Sequence, residues 1–181
     1  KLRLSKISKV IAGGQSEDRD DQFLNIAALI DAYKADGNPI FSVDTKAKEH
    51  LGRLFRKGRV RCDAPFRAFD HDFPSLAEGV LIPHGIYDPV RNLGHVNLGL
   101  SHDTTQFTCD SLQWYWNHIG RQAYPAASSM LLLFDCGGSN SGSNSASKYL
   151  FKHDLQAVAD QTNMTIRVAH YPSSCSKYNL I

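Results

Sequence analysis

Cysteine and long apolar runs are both scarce in this sequence. The four cysteines, Cys62, Cys109, Cys136 and Cys175, are scattered and form no Cys-x-x-Cys pair. This spacing excludes a disulfide-dense scaffold and a zinc ribbon, and it predicts free thiols in a reducing compartment. The chain opens without a signal peptide, and no apolar run approaches the ~20 residues that a membrane helix requires. We therefore expect a soluble cytoplasmic protein with no membrane partner.

A large excess of charge of one sign is absent as well. The chain has 20 Lys and Arg against 18 Asp and Glu, for a formal net charge of +2. This mild basicity permits a nucleic-acid partner without requiring one. The 181 residues, 42% of them hydrophobic, suffice for one main core. Because the sequence starts at Lys1 and stops at Ile181 in mid-pattern, we expect it to be a piece of a longer protein.

Apolar periodicity, with Gly and Pro as breakers, predicts the order of helices and strands. The predicted elements are a basic helix ending at Gly13, a helix from Ser16 to Gly37, strands at 40–43, 79–89 and 94–101, a helix at 104–120, a strand at 129–135, a helix at 145–162, and a strand at 165–172. In the helix that ends at Gly120, we expect Trp114 in the core and Trp116 at the periphery.

Three consecutive strands predict an antiparallel meander, and the later strand and helix alternation predicts parallel strands. Together they predict an α/β fold with a mixed five-stranded sheet and flanking helices, the layout of the ribonuclease H fold. We assign 1–38 to a helical N-terminal lead-in and 39–181 to the ribonuclease H-like domain.

Two aspartates share one situation, because Asp44 and Asp135 each follow an apolar strand. The first and fourth strands are central neighbours in this layout, so the two carboxylates are expected to converge. Mg²⁺ prefers oxygen ligands and is often held by one or two carboxylates together with substrate phosphates. Two such ions about 4 Å apart would clamp the attacking and leaving oxygens of a phosphodiester. The alternative is that each aspartate only caps the turn after its strand.

The segments around these acids suit a nucleic-acid backbone. Gly137 and Gly138 leave room beside a metal, and Ser139 and Asn140 offer hydrogen-bond donors to phosphate. The most basic stretch of the chain lies between the first two strands and is interleaved with phenylalanines. A solvated loop is the alternative, but we favour DNA contacts because Lys and Arg dominate nucleic-acid affinity. The predicted contacts there are Lys46, Lys48, Arg53, Arg56, Lys57, Arg59 and Arg61.

Two further sites carry open alternatives. Asp70-His71-Asp72 is either a metal site or an ordered loop, and the loop is favoured. His170, at the end of the last strand with Tyr171, either positions phosphate or is a structural histidine.

Four strings occur in an order that is typical of one protein family. They are FSVDTK (41–46), HDFPSLAEGVLIPHGIYDPVRNLGHVNLGLSHDTTQF (71–107), LLFDCGGSNSG (132–142) and HYPSSCSKYNLI (170–181). They resemble motifs of the DDE transposases of the ISAzo-type insertion-sequence family, bacterial relatives of mariner-like elements.

The resemblance implies cutting and joining of transposon-end and target DNA with Mg²⁺ or Mn²⁺, by an Asp, Asp, Glu triad. Asp44 matches the first acid and Asp135 the second. Lys177 matches the lysine of the family's CSK string and is a further expected DNA contact. Such transposases commonly act as dimers or larger assemblies on paired ends, so the resemblance implies a possible homodimer in the bacterial cytoplasm at the nucleoid.

The chain departs from the family pattern at its end. The family's third acid, a glutamate, follows an NPI string, whereas this sequence reads NLI and stops at Ile181. The glutamates that are present, Glu17, Glu49 and Glu78, do not match that position. We therefore expect this chain to bind metal weakly and to cleave DNA poorly or not at all.

Two other functions stay open at this stage. DCGGSNS and SVDTK also resemble the phosphate loops of actin and sugar-kinase phosphotransferases, although no adenosine loop is evident. The other alternative is a decayed transposase that only binds DNA.

Overall fold

The protein, described here from a computed structural model, is a mixed α/β fold. The structure describes residues 18–59, 61–65, 67–70, 73–100, 103–135, 149–172, 175 and 178–181. In chain order its elements are α1 (Arg19–Ala35), β1 (Ile40–Thr45), β2 (Glu49–Leu51), β3 (Gly79–Asp88), β4 (Leu93–Gly99), α2 (Thr105–Tyr115), α3 (Arg121–Ala123), β5 (Ser129–Asp135), α4 (Tyr149–Thr162) and β6 (Thr165–Tyr171).

The strands form one mixed sheet in the order β2-β3-β1-β5-β6, with β4 also paired to β3. β1 is antiparallel to β3, and β3 to β4, which confirms the predicted meander. β1 is parallel to β5, and β5 to β6, which confirms the predicted parallel part. Within the described residues the sheet has six strands rather than the predicted five. The additional strand, β2, is three residues long, too short to leave a periodic signal in the sequence.

The core lies on both faces of the sheet. On one face Val43 and Phe134 pack with the buried sides of α2 and α4. On the other face Leu131 and Leu133 pack with α1. Because β5 is covered on both faces, Met130–Phe134 is at most 2% exposed. Burial on both sides explains why this strand reads as a continuous apolar run.

α1 forms one layer of this core. Its residues Ile26 and Tyr33 pack with Ile40 at the start of β1. The helix ends before Gly37, which has a φ of +68° and so adopts the left-handed conformation that favours glycine. The predicted basic helix ending at Gly13 and the predicted start at Ser16 lie outside the described residues, as do the first residues, 145–148, of the helix that is seen as α4.

Two predictions for α2 were wrong. Trp116 is 3% exposed and Trp114 is 45% exposed, the reverse of the expected placement. The helical backbone also does not stop at Gly120, because a π-helical turn, Trp116–Gly120, leads into α3. Gly120 does not end the helix but leaves room for the Trp116 ring, because an added Cβ would lie 2.5 Å from that ring. The start of α2 is as predicted, because the Thr104 hydroxyl accepts a hydrogen bond from Phe107 N at 3.1 Å.

No disulfide bond joins the described cysteines, Cys62, Cys109 and Cys175. Among the described helices, none combines the length and the apolar character needed to cross a membrane.

Candidate metal centre and nucleic-acid interface

Asp44 and Asp135 lie side by side at the carboxyl ends of β1 and β5, two neighbouring strands inside the sheet. Val43 of β1 is paired with Phe134 of β5 in a parallel ladder, and each is followed by one of the aspartates. Neighbouring strands are ~4.8 Å apart, and side chains alternate between the two faces. The two carboxylates therefore project on the same face from adjacent strands. The structure brings together the two acids that the sequence singled out.

Both carboxylates are held in an environment that disfavours their charge. Burial raises the pKa of Asp44, and the neighbouring charge of Asp135 raises it further. Burial also raises the pKa of Asp135. Three groups oppose these shifts. Thr45 N donates to Asp44 Oδ1 at 2.9 Å, a hydrogen bond from Asn179 lowers the pKa of Asp135, and the positive charge of Lys46 lowers the pKa of both acids. The net effect is a site with an excess of negative charge that a cation would relieve.

A buried oxygen of this pair lacks a hydrogen-bond partner among the described residues. Asp135 Oδ1 is buried and accepts no hydrogen bond within the described part of the chain. A buried acceptor without a partner is costly, and a divalent cation is a chemically suitable partner for a carboxylate oxygen. The residues present therefore fit a hard dication. The described ranges contain no group of three or more His, Cys, Asp or Glu side chains placed to hold a metal. Asp44 and Asp135 are therefore the candidate ligands that the described residues offer.

Asn179 is a site residue that sequence reasoning missed. Its side-chain oxygen accepts a hydrogen bond from Ser42 Oγ, and its Nδ2 lies 3.4 Å from the Val43 carbonyl, to which it donates. A hydrogen bond from Asn179 also lowers the pKa of Asp135, against the effect of burial. The SKYNLI string carries no periodic pattern, so only its resemblance to the family's CSKYNPI string could have drawn attention to this residue.

The basic segment that follows β1 lies past the end of β1 that carries Asp44. β2 pairs with the first residues of β3, past the point where β1 ends. Farther along, Leu54 bridges Phe69, and Phe69 N donates to the Arg53 carbonyl at 2.7 Å. All seven cations predicted to contact DNA in this segment have exposed side chains: Lys46, Lys48, Arg53, Arg56, Lys57, Arg59 and Arg61.

Arg56 of this segment already has partners within the chain. Arg56 Nη1 lies 3.7 Å from Glu49 Oε2, and Arg56 Nη2 donates to the His50 carbonyl at 2.5 Å. Phe55 and Phe69 are 57% and 51% exposed beside these cations. The segment thus presents cations and aromatic rings to solvent, the combination that suits a nucleic-acid strand.

Residues 2–181 match the family model of the Rhodopirellula transposase DDE domain. The chain belongs to that family. No curated protein matches the chain. As members of this family are transposase domains, the resemblance drawn from the four sequence strings is confirmed.

Solved structures of Mos1 transposase are similar to this DDE domain in fold. The Mos1 strand transfer complex is 14% identical, with a TM-score of 0.51 over 98% of this chain and 50% of that chain. The Mos1 mariner paired end complex with Mn is 14% identical, with a TM-score of 0.48 over 93% of this chain and 48% of that chain. The DDE domain spans about half the length of these chains. The predicted ribonuclease H-like fold class is confirmed.

His170 and Tyr171 lie beside Asp135. Tyr171 is paired with Asp135. Burial raises the pKa of the Tyr171 hydroxyl, and the charge of the Asp135 carboxylate raises it further. His170 is paired with Phe134 and stacks on its ring, so the imidazole lies on the opposite face from the carboxylates. His170 Nδ1 lies 3.3 Å from the Asp135 carbonyl. Burial lowers the pKa of His170, so the neutral form is favoured.

Several predicted site residues fall outside the described residues. They are Gly137, Gly138, Ser139 and Asn140 of the glycine-rich loop, His71 and Asp72 of the Asp-His-Asp string, and Lys177.

Proposed function

We propose that this transposase DDE domain cleaves and joins DNA strands with the help of Mg²⁺ or Mn²⁺ held by Asp44 and Asp135. One observation carries the proposal: the two carboxylates lie at the carboxyl ends of adjacent parallel strands, and Asp135 Oδ1 is buried without a partner in the described chain. A bound dication would act as a Lewis acid on the phosphodiester. The two aspartates would hold it, and Thr45 N would fix the direction of Asp44.

The third acid in this proposal comes from the family resemblance, which places a glutamate directly after the string that ends here in Ile181. The Ile181 side chain packs over Gly85, the cross-strand partner of Asp44. A residue joined to Ile181 would therefore start close to the first acid. With two aspartates alone we expect weak metal binding and poor cleavage, and a third carboxylate at this point should improve both.

We propose that the exposed cations between β1 and β3 bind the phosphates of transposon-end and target DNA. Their position beyond the carboxyl end of β1 would let one duplex contact both the cations and the metal site. Ser139, Asn140 and Lys177 remain predicted contacts. Because DNA is the proposed partner, we place the site of action in the bacterial cytoplasm at the nucleoid. Action on paired transposon ends would favour a homodimer.

The test is a Mn²⁺-dependent nicking assay on supercoiled plasmid DNA. Chains carrying one glutamate or one glutamine appended after Ile181 form a matched pair. We expect nicking with the glutamate, much less with the glutamine, and none when Asp44→Asn is added to the glutamate chain. Equal nicking by all three chains, or none by any, would contradict the proposal.

The two alternatives give different outcomes in simple binding measurements. A phosphotransferase would be stabilised thermally by Mg²⁺-ATP and would not respond to DNA. A transposase that only binds DNA would retain DNA binding but take up no Mn²⁺. No observation on the described residues favours either alternative over the transposase.

A further inference from the structure

The last described residues of the chain cross the same face of the sheet as the two acids. Cys175 is fully buried. The Tyr178 ring packs edge-on against Phe23 of α1, with centroids 4.9 Å apart. Ile181 packs over Gly85 of β3. These contacts hold the segment between α1 and the carboxyl ends of β1 and β5.

Asn179 is the residue of this segment that reaches the acids. Both ends of its amide are used on β1: the oxygen accepts from Ser42 Oγ, and the nitrogen donates to the Val43 carbonyl, 3.4 Å away. Val43 is paired with Phe134, the residue before Asp135, and a hydrogen bond from Asn179 lowers the pKa of the Asp135 carboxylate. Ser42 is fully buried, so no solvent competes for its hydroxyl. The amide is therefore clamped to β1 while it contacts the second acid on β5.

This clamp has a consequence for the Asp135 carboxylate. A donor fixed on one side restricts rotation of the carboxylate about its terminal torsion, which is otherwise broad. The oxygen that keeps no partner in the described chain is Oδ1. Lys46 acts on the same carboxylate through its charge, but its own side chain is exposed, so it supplies less orientation than the clamped amide.

We infer that Asn179 is a positioning residue that orients Asp135 so that Oδ1 is directed at the metal. This role rests on the proposed function, because it requires a metal at the acid pair. Residues that orient a metal ligand in this way typically account for 10-fold to 100-fold in metal affinity. Residues 178–181 would then complete the geometry of Asp135 as well as lead toward a third acid.

The first test compares Mn²⁺ affinity in two variants of the same segment, using titration calorimetry on the full chain. Asn179→Ala removes the hydrogen bond to Asp135, and we expect affinity to fall about 10-fold or more. Tyr178→Ala is the control, because it loosens the packing on Phe23 and leaves the Asn179 amide in place. It should lower the thermal midpoint and leave Mn²⁺ affinity within about two-fold. Equal reductions in both variants, or an unchanged affinity in Asn179→Ala, would overturn the inference.

The second test needs no metal. It uses the side-chain amide signals of Asn179 in a ¹⁵N spectrum of the metal-free chain. These signals should shift in Asp135→Asn. They should stay in place in the control, Asp31→Asn, which replaces an exposed acid of α1. Absence of a shift would overturn the hydrogen bond itself. If the hydrogen bond is seen but the unchanged chain takes up no Mn²⁺, the proposed metal site fails, and with it this role of Asn179. If Mn²⁺ binds and Asn179→Ala leaves the affinity unaltered, the inference alone fails.

Discussion

Val43 and Phe134 face each other across the parallel strands β1 and β5, and the residue after each is an aspartate. The parallel register is therefore what makes the two acids neighbours. A slip of one residue would move one carboxylate to the other face of the sheet. The geometry of the proposed metal site is fixed by the sheet itself, and several measurable properties depend on it.

The acid pair should lower the stability of the metal-free chain as pH rises through the range in which the pair ionises. Burial raises the pKa of Asp44 and Asp135 above the ordinary value of 3.8. These two groups then hold more protons in the folded state than in the unfolded state, so their contribution to the free energy of unfolding falls from pH 3.8 upward until both acids are ionised. Urea denaturation across this range checks the prediction. Asp135→Asn should reduce the slope, and Asp31→Asn should leave it unchanged.

His84 should impose a pH dependence of the opposite sign. It is fully buried, neither ring nitrogen has a partner among the described residues, and burial lowers its pKa to about 4. The unfolded state binds the proton first, so stability is lost as pH falls from 6.5 to about 4, by at most about 3 kcal/mol. His84→Leu should remove this loss. His50→Leu, at an exposed histidine of β2, should not, and an unchanged profile in His84→Leu would contradict the prediction.

DNA affinity should depend on the cations beyond β1 in a graded way. Lys57→Ala should weaken binding and lower the slope of log K against log salt by about 0.9, the value for one phosphate that is no longer neutralised. Arg56→Ala should have a smaller effect, since Arg56 already lies 3.7 Å from Glu49. Lys34→Ala, in the last turn of α1, is the control and should leave the slope unchanged. Equal slopes for all three variants, measured by fluorescence anisotropy, would argue against this surface.

Gly85→Ala should loosen the last residues of the chain while preserving the sheet. A Cβ at Gly85 would lie 2.5 Å from Ile181 Cδ1, the mobile end of a side chain. We expect Ile181 to move aside, with a loss of stability of ~1 kcal/mol or less, and faster amide exchange at 178–181. Gly94→Ala is a suitable comparison, because its Cβ would meet nothing within 4 Å. Unaltered exchange in Gly85→Ala would contradict this placement of Ile181.

The strand ends that carry the acids could be predicted from the sequence, because each acid follows an apolar or β-branched run. The hydrogen bond from Asn179 to Asp135 could not be predicted in this way. Asn179 is 44 positions later in the chain, in a segment without a periodic pattern, and only tertiary packing brings it back to the sheet. The side of α2 that faces the core was also misassigned. Three of its six buried residues are polar: Thr105, Thr108 and Ser111. The apolar residues alone therefore indicated the wrong buried side of the helix, and Trp114 was predicted to be buried in place of Trp116.

The most direct test of the central claim is Mn²⁺ binding to the unchanged chain, Asp44→Asn, Asp135→Asn and Asp31→Asn, measured by titration calorimetry. The account predicts Mn²⁺ uptake by the unchanged chain and by Asp31→Asn, and its loss in each of the other two variants, together with a slight rise in their thermal midpoints as like-charge repulsion is relieved. Undiminished Mn²⁺ uptake by both Asp44→Asn and Asp135→Asn would contradict the assignment of these two acids as the metal site.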